Sequence, residues 1–288
     1  MRFVIPISLI GVICIAQMGL AFDWVAVHNA AETMPETSAQ QIVAQKPDSA
    51  EGLYTLGLVY LSQHKDKQAQ EVFERMPASI EARWGIAEVL RRQHKRQESA
   101  RMLDVIIADD PSFMPAYVSR GFLYYLDLRF NDAVGCARVV MRQTQGKSDV
   151  RNVVRAYALY AGAKGMIAHY GGPFSKAING TVVLPMLRKA EKIRPEAPEV
   201  LFGIGCFYIL APGFAGGDID RGIEYLKRTV ARDPLFADAY ARLAQAYLFK
   251  GDRQQYALYL ARALAVDPQN ELACDVRDKT CIYICARE

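Results

Sequence analysis

The period-two alternation that marks β-strands is almost absent from this sequence, which removes sheet, sandwich and barrel classes from consideration. Net charge is also scarce: 35 Lys and Arg stand against 31 Asp and Glu, so the chain lacks the basic footprint that nucleic acid requires. Beyond residue 21 no apolar run approaches the roughly 20 residues of a membrane span; the stretch Val200 to Leu210 ends at Pro212-Gly213. Neither a glycine-rich phosphate loop after a strand nor a haem-attachment C-x-x-C-H occurs, and no cofactor is implied. What is present is ample core material. Of 288 residues, 51% are hydrophobic and 23% charged, which excludes a disordered chain.

The first 21 residues contain no acidic side chain and one basic one, Arg2, followed by the apolar run Phe3 to Ile15 and the small-residue end Gly19-Leu20-Ala21. This reads as a signal peptide ending at Ala21, with an uncleaved anchor as the alternative, and implies a periplasmic or secreted protein. Cys14 follows Ile13, where a lipoprotein signal places a small residue, which argues against lipidation. The remaining cysteines, Cys136, Cys206, Cys274, Cys281 and Cys285, are odd in number. They are no disulfide framework, so the fold must rest on apolar packing.

Prolines reveal an internal period. Asp233-Pro234 and Asp267-Pro268 are 34 residues apart, and between them Tyr240, Leu243, Ala244 and Tyr247 share one helical face before a Gly251-Asp252 turn, Leu260 and Ala263. Small Ala244 admits a second helix closely, Gly251 supplies a left-handed turn, and Pro268 cannot continue the helix before it. This unit resembles the tetratricopeptide repeat, a helical hairpin that stacks into a superhelix. Tyr256 departs from the pattern, standing where the repeat has a small residue.

The same register fits elsewhere. Pro77 to Pro111 spans 34 residues with Trp84, Ala87 and Leu90; Pro111 opens a unit closing at Gln145; Pro47 to Pro77 is clipped to 30 and Pro195 to Pro234 extended to 39. An atypical unit lies between, with a long helix near Asp149 to His169 and another near Val182 to Ile193. The resemblance implies an all-α tetratricopeptide-repeat superhelix of about six hairpins over 47–268, irregular over 146–234. Residues 22–46 and 269–288 are expected to be helical caps, which such arrays need.

In this repeat the concave wall is lined by recurrent first-helix positions. They fall on Tyr54, Leu58 and Leu61; on Trp84, Glu88, Arg91 and Arg92; on Val118, Phe122, Tyr125 and Leu126; on Phe202, Cys206, Ile209 and Leu210; and on Ala241, Gln245, Leu248 and Phe249. The wall reads as mostly apolar, without the basic-plus-Asn set that grips a peptide carboxylate. It favours either a small hydrophobic ligand or a partner helix in the groove. The competing reading is that neighbouring turns, or the N-terminal segment folding back, bury these residues.

Two loops between paired helices share a Gly-Gly pair, a proline and a phenylalanine: one runs from His169 through Gly171, Gly172, Pro173 and Phe174, the other from Leu210 through Pro212, Phe214, Gly216, Gly217 and Asp218. Several glycines permit positive φ and close backbone approach. One reading has the loops closing over a ligand, each inserting its phenylalanine; the other makes them stiff plugs. A proline loop ending in Gly-Gly-Asp between repeat helices resembles the T component associated with TRAP transporters, over roughly residues 150–268. That resemblance implies a hydrophobic ligand cleft and pairing with a solute-binding subunit.

Catalytic chemistry has little support. His64 and His94 sit in polar turns and read as solvated, leaving His169 beside Gly171-Gly172 as the histidine to test. Cys274, Cys281 and Cys285 share one face if their segment is helical, but four ligands with paired C-x-x-C spacing are missing, so no metal site is expected. The expectation is a non-enzymatic binding scaffold. It holds either a small hydrophobic ligand, with a transporter subunit as partner, or a segment of a protein partner in envelope assembly.

Overall fold

A computed structural model describes residues 22–143 and 149–283. The expected signal peptide, the unit boundary at Gln145-Gly146 and Cys285 lie outside them. Among the described residues there is no strand, and sixteen α-helices follow one another.

Helices α1 (Trp24–Ala31) and α2 (Glu36–Gln45) come first, and six antiparallel pairs follow. These are α3 (Ala50–Ser62) with α4 (Asp66–Phe73), α5 (Ile80–Arg92) with α6 (Arg96–Asp109), and α7 (Met114–Leu126) with α8 (Phe130–Met141). The long α9 (Val150–Tyr170) pairs with α11 (Val183–Ile193) across the short α10 (Pro173–Gly180). Next come α12 (Pro198–Leu210) with α13 (Ile219–Arg232), α14 (Ala237–Phe249) with α15 (Arg253–Val266), and the final α16 (Glu271–Asp278). The all-α repeat superhelix read from the prolines is therefore present, and α10 is an element that reading missed. Pro173 opens α10 at its first position, where the missing N–H costs nothing.

Local chemistry sets the helix ends. Ser49, Ser79, Asp149, Asp218, Asp252 and Asn270 each accept a hydrogen bond from a backbone N–H in the first turn of the helix they precede. Between paired helices the chain passes through the left-handed region at His64, His94, Leu128 and Gly251, with φ of 58°, 59°, 61° and 76°. The turn expected at Gly251 thus recurs three times with bulkier residues.

Close helix approach uses small residues. The Phe73 ring lies between Gly57 of α3 and Gly85 of α5: a Cβ on the former would stand 2.2 Å from its Cε1, and on the latter 2.3 Å from its Cε2. In the same way Ile209 fills the notch at Gly222, where a Cβ would lie 2.5 Å from Ile209 Cγ1. Ile209 is fully buried between α12 and α13 and is not on the concave wall as expected. The reason is register: Gly205 and Ile209, one turn apart, form the face of α12 that α13 covers, Gly205 against Leu226 and Ile209 against Gly222.

The superhelix closes on itself. Helix α1 folds back inside the curve, with His28 Nε2 2.6 Å from Tyr54 Oη and Nδ1 3.3 Å from Asp149, the N-cap of α9. From the other end, the turns after α3 and α5 meet those after α13 and α15. His64 lies 3.4 Å from Asp233, His94 reaches Asp267 and Glu271, and Arg96 Nε donates to Glu271 at 3.1 Å. His94 is therefore half-buried in a contact rather than a solvated loop histidine, while His64 stays exposed beside Asp233. Their turns are where opposite ends of the array touch.

Candidate functional site

The curled array surrounds a central, partly open cavity of about 1940 Å³. Most of the expected wall lines it: Leu58 and Leu61, Glu88, Arg91 and Arg92, Val118, Phe122, Tyr125 and Leu126, and Phe202, Cys206 and Leu210. The face of α12 shows why, since residues 199, 202, 203, 206 and 210 recur at helical spacing toward the cavity. Tyr54 is excluded because it is buried against Phe22, His28 and Phe73. In α14 the wall is rotated by about one residue from the expected face. Asp238 and Arg242 line it, whereas Ala241, Gln245, Leu248 and Phe249 do not.

Trp84 touches the cavity margin, but its ring is covered by His28 of α1 and by Phe113, and its Nε1 donates to Ser119 Oγ at 3.0 Å. The N-terminal segment folding back is thus the reading that holds at this end of the groove. At the other end Phe122 and Tyr125 stack with centroids 6.4 Å apart, and Phe202 packs on Phe236 at 5.0 Å.

The wall is mostly apolar, as expected, and carries buried charge as well. Glu88 is only 4% exposed; burial opposes its ionisation, yet Arg91, 3.1 Å away, and Arg155, 3.6 Å away, hold its carboxyl well below the usual range. Arg92 donates to Asp66 at 2.8 Å. Burial raises the Asp238 carboxyl, which accepts from Asn270 Nδ2 at 2.7 Å. Arg242, 5% exposed, donates Nη1 to Gln245 at 2.6 Å, while its Nε and the Oε1 of Glu199 are buried without a partner among the described residues. Burial also pushes the Cys206 thiol up.

The two glycine-proline loops border the cavity through His169, Pro173, Pro212 and Phe214. They do not close over it with their phenylalanines. Phe174 is 80% exposed and off the cavity wall, and Phe214, on the rim, is 95% exposed. Gly216 alone of their five glycines has positive φ, at 91°. Gly171 is required by contact instead, since a Cβ there would meet Ser175 Oγ at 2.3 Å, and Gly172 has open space around it. Asp218 caps α13, accepting from Arg221 N at 3.1 Å, and its own N–H donates to Tyr208 O at 2.8 Å; Gly217 N–H donates to Pro212 O at 3.0 Å. His169 is exposed beside Tyr170.

Sequence reasoning missed the α9 contribution of Arg151, Asn152 and Arg155, because the irregular unit offered no proline to set its register. It missed Tyr283 as well, whose ring stacks on Tyr125 with centroids 6.4 Å apart. The three C-terminal cysteines do not share a helix: α16 ends at Asp278, and Cys281 lies beyond it with φ of 56°. Cys136, Cys206 and Cys274 are free thiols, and no group of three or more His, Cys, Asp or Glu among the described residues forms a metal site. No helix among them is long and apolar enough to cross a membrane.

No protein-family model matches the chain, and no curated protein matches it. Solved structures do. A thermophilic tetratricopeptide-repeat protein of Thermus thermophilus is 15% identical with a TM-score of 0.56, covering 70% of this chain and 96% of its own. A tetratricopeptide-repeat protein of Parabacteroides merdae is 15% identical with a TM-score of 0.52, covering 85% and 90%. The hetero-tetramer Cut9–Hcn1 of the APC/C is 12% identical with a TM-score of 0.51, covering 88% of this chain and 53% of that one. The chain has the tetratricopeptide-repeat fold: an all-helical α-solenoid, here curled until its ends meet.

Proposed function

We propose that the protein is a non-enzymatic binding scaffold whose ligand lies in the central cavity. The observation that carries this reading is the aromatic wall, Phe122, Tyr125, Phe202 and Phe236, that faces the central cavity. A mostly apolar molecule matches it. A cavity of about 1940 Å³ exceeds the roughly 300–1,000 Å³ of ordinary small-molecule sites, leaving room for a sizeable ligand.

In the finer form of this reading the protein is exported to the periplasm and serves a transport system of the TRAP kind, with the solute-binding subunit as partner. Its support is the Gly216-Gly217-Asp218 loop and the N-terminal segment. The second reading, a scaffold holding a segment of a protein partner, has its own support: a stretch of this chain, ending at Tyr283, already lies against the wall.

Native mass spectrometry of the full chain purified under mild conditions tests the first reading. It expects an added mass below about 1 kDa that collisional activation releases and that Phe122→Asp abolishes while circular dichroism stays helical. A bare chain that gains no such mass from a cell extract, in wild type and variant alike, sinks it. Capture of the solute-binding subunit in the same preparation tests the finer form.

A further inference from the structure

Helix α10 is built inside out. Ser175 and Asn179, one turn apart, hold it down: Ser175 Oγ donates to Ile167 O of α9 at 3.0 Å, and Asn179 Oδ1 accepts from Lys164 Nζ of α9 at 2.7 Å. The next pair at the same spacing, Phe174 and Ile178, is left exposed, and the helix buries no residue. A surface helix ordinarily buries its apolar stripe and shows its polar one. Here polar side chains make the attachment and apolar ones meet solvent.

The neighbouring hairpins repeat the exposure. In three successive units the segment after the first helix carries Leu128, then Tyr170, Phe174 and Ile178, then Phe214, and stacking places these segments along one edge of the array. Among the described residues Phe214, Phe174, Tyr170 and Ile178 are, in that order, the most exposed large hydrophobic side chains. Ile282, also exposed, joins them, its carbonyl accepting from the Tyr170 hydroxyl.

Charge in the same unit is one-sided. From Val150 to Ala190 there is no Asp or Glu, against Arg151, Arg155, Lys164, Lys176, Arg188 and Lys189, in a chain whose total charge is nearly balanced. Glu88 and Glu191 engage Arg155 and Arg188, whereas Lys176 of α10 is exposed. The carboxylates close to this edge are occupied. Asp132, in the hollow beside Tyr170, pairs with Arg129 at 2.8 Å; beyond Phe214, Asp218 caps α13 and Asp220 pairs with Lys250.

We propose that this edge docks on an anionic lipid bilayer, Phe174, Ile178 and Phe214 entering the head-group layer and Lys176 meeting lipid phosphates. The side chains protrude from separate turns, and a bilayer accepts protruding rings one by one, whereas a protein partner needs a continuous complementary surface. Aromatic rings suit the interfacial layer, and cations beside it are drawn to anionic lipid. His169, Pro173 and Phe214 border the cavity, so docking sets part of its rim at the lipid head groups.

Hydroxyl-radical footprinting of the full chain, resolved by peptide mass spectrometry, reads each side chain separately and so tells docking by this edge from attachment through the apolar run Phe3 to Ile15. On vesicles of phosphatidylcholine with about one-third phosphatidylglycerol, oxidation of Phe174 and Phe214 is expected to slow roughly fivefold. Val105 of α6 and Leu258 of α15, exposed on second helices of other hairpins, keep their rates. Phe174→Asp combined with Ile178→Asp restores the free rate at Phe214 while circular dichroism stays helical. Unchanged Phe174 and Phe214 rates on the anionic vesicles overturn the proposal. Equal slowing at Val105 and Leu258, or equal protection on phosphatidylcholine alone, does so too. Slowing in a membrane-free extract but not on vesicles assigns the edge to a protein and likewise overturns it. No cavity ligand enters the readout, so this proposal and the cavity reading fail separately.

Discussion

The Nε2 of His94 lies 3.0 Å from Asp267 Oδ1 and its Nδ1 3.3 Å from Glu271 Oε1, so one imidazole in the turn after α5 bridges two carboxylates at the far end of the array. Arg96 adds a hydrogen bond to the same Glu271. These partly exposed pairs are worth about 0.5–1 kcal/mol each. Combining His94→Ala with Arg96→Ala should open the superhelix while costing only about 1–2 kcal/mol of stability. Small-angle X-ray scattering is the check, and an unaltered radius of gyration would show that closure does not depend on this junction.

Acid should loosen the same junctions. The Glu271, Asp233 and Asp149 carboxyls are all held low: burial opposes this, but Arg96, His64 and His28 respectively outweigh it. A carboxyl with a depressed folded value stabilises fully above its unfolded value and loses that contribution as pH falls through the folded one. Stability should therefore decline below about pH 4, where unfolded carboxylates begin to bind protons. Asp238, raised by burial, works in the opposite sense, favouring the fold once it is protonated. Urea midpoints measured from pH 7 to pH 3 would show this, and Glu271→Gln should flatten the acid limb.

Glu88 is the internal counter-ion of the wall. Glu88→Ala leaves Arg91 and Arg155 facing each other across a buried site, a loss of about 3–5 kcal/mol. Chemical denaturation would report it. A loss below about 1 kcal/mol would mean that solvent already screens both guanidiniums.

Two backbone positions should respond with opposite signs. Gly57→Ala forces a methyl against the Phe73 ring and should cost about 1–3 kcal/mol. Leu128→Gly removes a side chain from a left-handed turn where it is half exposed, and should stabilise by about 0.5 kcal/mol after the entropy of the added glycine is counted. Thermal melts of the two variants would separate them.

How far the sequence could be read follows from where its local rules apply. Hairpins stand out because each rests on contacts within about 34 residues: a proline stop, small residues at the helix crossing and a turn that accepts left-handed backbone. That is why α9 and α11 were legible even in the irregular unit. Wall positions were legible at Phe122 and Phe202 and slipped by one residue at α14, although Pro234 precedes that helix. Closure was not legible. His64 and His94 look like ordinary polar turn residues until their partners at Asp233 and Asp267 are brought beside them by the summed curvature of every repeat between. Curvature arises from helix-crossing details such as Phe73 between its two glycines, which no local pattern encodes.

Closure has a bearing on how such an array can change over generations. An open solenoid tolerates the gain or loss of a unit, because each repeat touches only its neighbours. Here the turn bearing His94 must arrive opposite the turn bearing Asp267, and Tyr283 must reach Tyr125. Inserting one hairpin of about 34 residues between them would carry the two ends past each other and strand all three contacts at once. The number of repeats is thereby held fixed, and variation in this architecture is channelled into the loops that do not meet, such as those at Phe174 and Phe214.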